Sequence, residues 1–393
     1  MRILSVHNRF RHRGGSDTVA AADEEMLARH AEVTSYTRSS NEIASASGWQ
    51  KALSGIDPVY SRRTAREITE LAANFRPDIA YVHNVFPLIS PSVYHVLYRM
   101  RIPSVHVIHD FRLWCPNSRF YLDGRPCEQC LLGNYWPAVM NRCVQKNAAY
   151  SALYASSLYL NDKADFKKKI GGYICLTEFA KKLLLRAQVP EDKLFVCPNH
   201  IDTSAFTPQF ERGSYVLYLG GLYRDKGVMT VAQAFARLPH IPLKFVGVGD
   251  AEDELRNYIR NNRLANIEIV GFKSGEEKLK YLRESMFAVV PSHCYETFGL
   301  VVLEAFASGK PVIASCIGSL PYIVEPHRTG LLFEPQDSSD LAEQVRWLHE
   351  RPQEIESMGR NARTVVEQKY DSRFRYPSLH AIFEQVIERS RLN

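Results

Sequence analysis

At 393 residues the chain is too long for one ordinary hydrophobic core, so two domains are expected. It is mildly basic, with a formal charge of +6 and a pI of about 8.8, which suits an acidic substrate, anionic lipid or nucleic acid. No apolar run reaches the ~18 residues a membrane span needs, and Ile3-Leu4-Ser5-Val6 falls far short of a signal-peptide core, so a cytoplasmic protein is expected.

Short apolar, β-rich runs alternate with helical patterns along the chain. The first half carries Ile3 to Val6, Ile79 to Val82, Ser104 to Ile108, Tyr173 to Leu176 and Leu194 to Val196. The second carries Tyr215 to Leu219, Leu243 to Val246, Ile267 to Val270, Ala288 to Val290, Val312 to Ala314 and Gly330 to Phe333. Such alternation predicts α/β architecture: two doubly wound domains, each a parallel sheet with helices on both faces. Proline and polar residues from Cys197-Pro198-Asn199 to Gly213 mark the joint. A closing helix over Ser378 to Arg391 carries Leu379, Ile382, Phe383, Val386 and Ile387 and needs an apolar surface to cover.

The most informative segment runs from Pro291 to Ala305, with Glu296 and Glu304 eight positions apart after the run Phe287 to Val290. It reads as a buried strand, a polar turn and a helix starting near Phe298. The first-turn N–H groups around Gly299 and Leu300 would then form an anion site. Carboxylates beside an anion site repel the anion but accept well from hydroxyls, so the pattern asks for a phosphate core with hydroxyl-rich ends. The plain alternative is a solvated helix with two surface acids. Glu304 lies between Leu303 and Ala305 in an apolar stretch, where an unpartnered carboxylate is costly.

Other loops fit the same ligand. Gly14-Gly15 before Ser16-Asp17 can admit a phosphate near the backbone, and Lys226-Gly227 after Gly220-Gly221 can neutralise a diphosphate. Neither these nor Gly247-Val248-Gly249 has the three-glycine spacing of a dinucleotide fingerprint, which counts against a nicotinamide or flavin enzyme. His109-Asp110 ends a strand, where a histidine can meet a sugar hydroxyl or carry a proton, or simply cap the strand. Cys115, Cys127, Cys130 and Cys143, at spacings of eleven, two and twelve residues, fit a four-thiolate structural zinc. Free thiols and disulfides are the alternatives. Basic groups at Arg9, Arg11, Arg13, Arg62, Arg63, Arg99, Arg101 and Lys167-Lys168-Lys169 lie in the first half and can equally be scattered surface charge.

These residues together resemble the retaining glycosyltransferases of family four, which have the two-domain fold called GT-B. The resemblance is densest from Tyr215 to about Asp340, through Lys226-Gly227, Gly247-Val248-Gly249, Val270-Gly271-Phe272, and Glu296 through Gly309-Lys310-Pro311-Val312. It implies an acceptor-binding domain over 1–205 with a cysteine-rich insertion at 111–145. A nucleotide-sugar domain would follow over 206–370, and 371–393 would form a helix returning to the first domain. By resemblance Glu304 holds the ribose hydroxyls, Glu296 the donor sugar, and the Gly299 and Leu300 N–H groups, behind Phe298, the distal phosphate. Lys226 binds the diphosphate beside Gly221 and Gly247, the Phe272 backbone borders the base, Gly15 faces the phosphates and His109 meets the sugar near the reacting carbon. Four departures stand out: Gly221 where relatives carry arginine, with Arg224 the nearest substitute; His200 for a glycine; Tyr322 for a glutamate; and the cysteine insertion.

The implied reaction moves a hexosyl group with retention from a nucleoside diphosphate sugar of UDP or GDP type to a glycan or lipid-linked acceptor in cell-surface polysaccharide or glycolipid synthesis. Lys226 and the helix terminus would stabilise the leaving diphosphate, and the chain has no Asp-x-Asp segment to hold a catalytic metal. Rival readings are a sugar-nucleotide epimerase of similar fold and a non-catalytic sensor. Nucleic-acid binding is not expected, because the basic clusters lack an interleaved aromatic platform. Trp136, Pro137, Val139, Met140 and Tyr150 to Leu160 near Lys167 suggest peripheral membrane contact.

Overall fold

The structure, a computed structural model, describes residues 1–10, 14–42 and 57–392. Arg11 and Arg13 lie outside the described residues. The chain divides into two compact units: Met1–Leu122, Cys127–Pro198 and Tyr376–Asn393 form the first, and Asp123–Pro126 and Asn199–Arg375 the second.

The first unit is built on a six-stranded parallel sheet of β1 (Arg2–Arg9), β2 (Glu32–Ser39), β3 (Ile79–Val82), β4 (Ser104–Val107), β7 (Gly172–Cys175) and β8 (Leu194–Val196), in the order β2-β1-β3-β4-β7-β8. Every residue of β3, β4 and β7 is buried, because a parallel strand covered on both faces has no solvent side. Apolar runs therefore find these strands. β2 escapes such a reading: as an edge strand it is mostly exposed or half-buried, and Glu-Val-Thr-Ser-Tyr-Thr-Arg-Ser carries no apolar run. Two further short strands, β5 (Tyr121–Leu122) and β6 (Arg125–Pro126), form a small hairpin.

The second unit repeats the scheme with β9 (Tyr215–Leu219), β10 (Leu243–Val246), β11 (Ile267–Gly271), β12 (Ser285–Val290), β13 (Val312–Ser315) and β14 (Gly330–Phe333), in the order β11-β10-β9-β12-β13-β14. All the pairs are parallel, so both units have the expected doubly wound α/β architecture. Phe235, Phe245, Phe287 and Val231 fill the core between this sheet and its helices.

The closing helix spans Arg375–Leu392 and from Tyr376 onward belongs to the first unit. Leu379, Phe383 and Val386 are buried, with the Phe383 ring 5.3 Å from that of Tyr81 on β3 and Tyr376 stacked on His30 at 4.1 Å. The apolar stripe at helical spacing thus finds its surface on the first sheet.

Candidate functional site

In the second unit the polar loop 291–299 leaves the end of β12 and enters the helix Leu300–Ala307. The helix starts two residues later than the sequence suggests. Gly299 caps it at φ 110°, a conformation that favours glycine, while Phe298 turns inward, 2% exposed, with its ring edge-on to Tyr370 at 6.0 Å. Phe298 therefore offers a ligand only its backbone. In the first turn Val302 N donates to Gly299 O at 2.9 Å, while the Gly299 and Leu300 N–H groups ahead of it have no intrahelical acceptor, the kind of terminus that suits an anion.

Each glutamate meets a lysine. Lys226 Nζ lies 2.5 Å from Glu296 Oε1, and the Ser292 hydroxyl donates to the same oxygen. Burial alone would lower the Lys226 pKa, but the Glu296, Cys294 and Asp225 charges outweigh it and the net shift is upward, so the ammonium is held charged. Although 35% of its side-chain surface reaches solvent, protein surrounds it densely. Lys226 is placed by a short turn, Arg224–Lys226, packed on the loop after β12: His293 N donates to Asp225 O at 2.8 Å, and a Cβ at Gly227 would lie 1.9 Å from Pro291 O.

Glu304, in the second turn of the helix Leu300–Ala307, accepts from Lys278 Nζ at 2.8 Å. Lys278 belongs to the helix Gly275–Glu284 and was not singled out by sequence reasoning. Its run Glu276-Glu277-Lys278-Leu279-Lys280 reads as an ordinary charged helix face, and only the fold brings it to Glu304. The costly unpartnered carboxylate is avoided by an ion pair.

The neighbouring residues divide between ligand-facing and structural. A Cβ at Gly247 would meet Gly220 O at 1.8 Å, so Gly247 is fixed by backbone-to-backbone packing of the two glycine loops. A Cβ at Gly221 would lie 2.4 Å from the Tyr223 ring, so that ring holds the space an arginine would start from. Arg224, the suggested substitute, is 73% exposed in its side chain and paired with Glu254 at 2.8 Å. Phe272 follows the end of β11 and is 68% exposed. Tyr322 ends the short turn Leu320–Tyr322.

In the first unit Gly14 caps the helix Gly15–Ala28, and Asp17 shapes the turn by accepting from Gly14 N at 3.0 Å and Phe10 N at 3.3 Å. Asp17 Oδ1 also meets His7 Nε2 at 2.9 Å. Burial raises the Asp17 pKa, but these hydrogen bonds outweigh it and hold the carboxyl below its ordinary value. His109 follows β4 and keeps part of its surface open, although burial and His83 push its pKa well below the usual imidazole range.

The four cysteines are gathered: Cys115, Cys127, Cys130 and Cys143 all line one small cavity of about 10 Å³. They are free thiols. Cys115 Sγ lies 2.9 Å from Asn117 Oδ1, and burial with the neighbouring thiols pushes Cys130 up to about 12. Among the described residues no three His, Cys, Asp or Glu side chains stand closely enough to hold a metal ion. Zinc would therefore have to draw the sulfurs together.

The expected basic face is thinner than its sequence. Lys167 donates to Tyr135 Oη at 2.9 Å and Asp162 Oδ2 at 3.0 Å, and Lys169 to Ala164 O at 2.7 Å, leaving Lys168 as the exposed member of the run. Leu132, Trp136 and Met140 do project, each at least 65% exposed. Among the described residues no helix is long and apolar enough to cross a membrane.

Comparison with known proteins agrees with this architecture. Residues 13–205 match the family model Glycosyltransferase Family 4, and residues 201–365 match Glycosyl transferases group 1. An uncharacterized glycosyltransferase of Methanocaldococcus jannaschii is 30% identical over 192 residues, covering 48% of this chain and 53% of that protein. The chain thus spans about half the length of this curated relative. Sucrose-phosphate synthase from Thermosynechococcus elongatus superposes with a TM-score of 0.73 at 20% identity, over 98% of this chain and 99% of that one. Anabaena HepE in complex with UDP and glucose superposes with a TM-score of 0.67 at 17% identity over all of both chains, and at these identities the likeness is one of fold. With two such models in tandem over residues 13–365 and a doubly wound parallel sheet in each unit, the chain belongs to the GT-B glycosyltransferase family.

Proposed function

We propose that the protein transfers a hexosyl group from a nucleoside diphosphate sugar to a hydroxyl acceptor with retention of the anomeric configuration. The observation that carries this reading is the pairing at 2.5 Å of Lys226, on the turn Arg224–Lys226, with Glu296 of the loop that leads into the Gly299-capped helix terminus. A cation and a ring of N–H donors sit beside a carboxylate, as a diphosphate ester of a polyhydroxyl sugar requires.

In this reading the diphosphate lies against Lys226 and the Gly299 and Leu300 N–H groups, Glu296 accepts from sugar hydroxyls and Glu304 from the ribose. Lys278 holds one oxygen of Glu304, which leaves the other for the ribose. The bond between the anomeric carbon and the phosphate oxygen breaks through an oxocarbenium-like state, and Lys226 with the helix terminus stabilises the charge on the leaving diphosphate. The acceptor oxygen attacks the same face, its proton passing to a phosphate oxygen. His109 is read as meeting the sugar near the reacting carbon, and the Gly15 backbone as meeting the phosphates.

A UDP-type donor is favoured, because the HepE fold neighbour was solved with UDP and glucose. A surface glycan or lipid-linked acceptor is read from the projecting Leu132, Trp136 and Met140. Lys226→Ala and Glu304→Ala are each expected to lose at least about tenfold in transfer, since a charged hydrogen bond contributes about 1.5 to 3 kcal/mol. The assay is release of nucleoside diphosphate from UDP, GDP and ADP sugars. Near-normal turnover in both variants would sink the assignment; epimerised sugar without free nucleotide would favour an epimerase, and binding without either product a sensor.

A further inference from the structure

Four imidazoles gather around the ends of β1, β3 and β4 in the first unit, and the reading above uses only His109. His83, just after β3, is fully buried. Its Nδ1 lies 2.8 Å from His109 Nε2, and the two rings are nearly parallel, 12° apart with centroids at 5.1 Å. Both sides of His83 are braced. The Tyr81 ring packs edge-on at 4.5 Å while its hydroxyl donates to Asp23 Oδ2 at 2.7 Å. His7 meets His83 edge-on at 5.7 Å and is itself tied through Nε2 to Asp17. His106 is engaged elsewhere, with the Tyr94 hydroxyl at 2.7 Å.

Two ring nitrogens at 2.8 Å share a single proton, so one must donate and the other accept. That contact couples the tautomers of the two rings and holds the plane of His109. It also commits His109 Nε2 to His83. Burial opposes charge on His109, and the neighbouring His83, His7 and His106 oppose it further, while Asp23 acts in the other direction; the net shift is downward. The ring therefore works as a neutral hydrogen-bonding group.

We propose that His83 is a positioning residue for transfer, holding His109 in one tautomer and one orientation. This rests on the reading of His109 given above, and it adds a residue that never touches substrate. His83→Phe keeps a planar aromatic ring and removes the shared proton; His83→Gln restores a polar partner. In His83→Phe, kcat is expected to fall about tenfold with donor KM changed less than twofold, and in His83→Gln to recover part of the loss. The acid limb of the kcat profile should move to higher pH in His83→Phe, because His109 then protonates more easily.

Nitrogen-15 NMR of the histidine-labelled wild-type protein reads the tautomer without turnover and without a variant that must fold. One tautomer for His109 is expected. A His109 averaged between tautomers, or a His83→Phe enzyme with wild-type kcat and pH profile, would overturn the proposal. Its failure is distinguishable from failure of the glycosyl-transfer reading, which is decided by Lys226→Ala and Glu304→Ala.

Discussion

In the second unit the candidate residues stand at the ends of regular elements and every carboxylate already faces a cation: Glu296 meets Lys226 at 2.5 Å and Glu304 meets Lys278 at 2.8 Å. In the cysteine segment of the first unit all four candidate residues stand in turns or irregular segments, outside any helix or strand, and their thiols share a cavity without converging on one point. The difference shows how each site would be held before its ligand arrives. Opposite charges preassemble the first; neutral thiols have little mutual attraction, and burial raises the cost of ionising Cys115 and Cys130.

The largest effect is expected where that contrast would be abolished. We propose that zinc binds the four cysteines, drawing sulfurs that already line one cavity onto a common centre by side-chain rotation. About one zinc per chain is then expected on metal analysis of protein purified without chelator. Stripping the metal should destabilise the insertion by far more than any single substitution, since structural zinc contributes ~10 kcal/mol or more to small modules. Metal-free protein with an unchanged melting curve would refute it. In that event the pKa of about 12 at Cys130 predicts a thiol inert to alkylation at neutral pH, unlike the exposed Cys316.

A second substitution tests whether the second unit is as preassembled as its ion pairs suggest. Gly227 stands at φ 75° with Pro291 O where a Cβ would go, so Gly227→Ala must displace the turn that carries Lys226. About 2 kcal/mol of destabilisation and several degrees of melting temperature are expected, together with weaker donor binding. If only stability falls and affinity is kept, Lys226 is held by Glu296 alone and the turn is dispensable.

How much of this was legible beforehand follows the same division. Buried parallel strands announce themselves as apolar runs, so β3, β9, β10 and β14 fall where the sequence places them; the edge strand β8 does so too through Leu-Phe-Val although Val196 is exposed, whereas the edge strand β2, mostly exposed or half-buried, leaves no such mark. The glutamate pair could be read because both acids and the glycine lie in one short segment. Lys278, the partner of Glu304, could not: 26 positions separate them, and a lysine in a charged helix carries no sign of what it meets. The same holds for His83, whose link to His109 exists because β3 and β4 are neighbours in the sheet. The inward turn of Lys167 and Lys169 was hidden for a further reason: a run of three lysines looks exposed, and only a fold with Asp162 and Ala164 O in reach can draw two of them in.

The smallest expected effect concerns the arginine that family resemblance places where this chain has Gly221. Adding it alone should not tighten donor binding, because its Cβ would begin 2.4 Å from the Tyr223 ring, and Tyr218 Oη donates to Gly221 O at 2.7 Å, which resists a backbone shift. Gly221→Arg is therefore expected to bind nucleoside diphosphate sugars no better than wild type by calorimetry. In Gly221→Arg with Tyr223→Ala the ring is gone and a second cation can reach the diphosphate, so affinity should rise up to about tenfold at low salt and lose most of that gain at high salt. Tighter binding by the single variant would mean that Tyr223 moves aside freely; the packing around Gly221 would then not explain the missing arginine, and the second unit would be less rigid than its ion pairs imply.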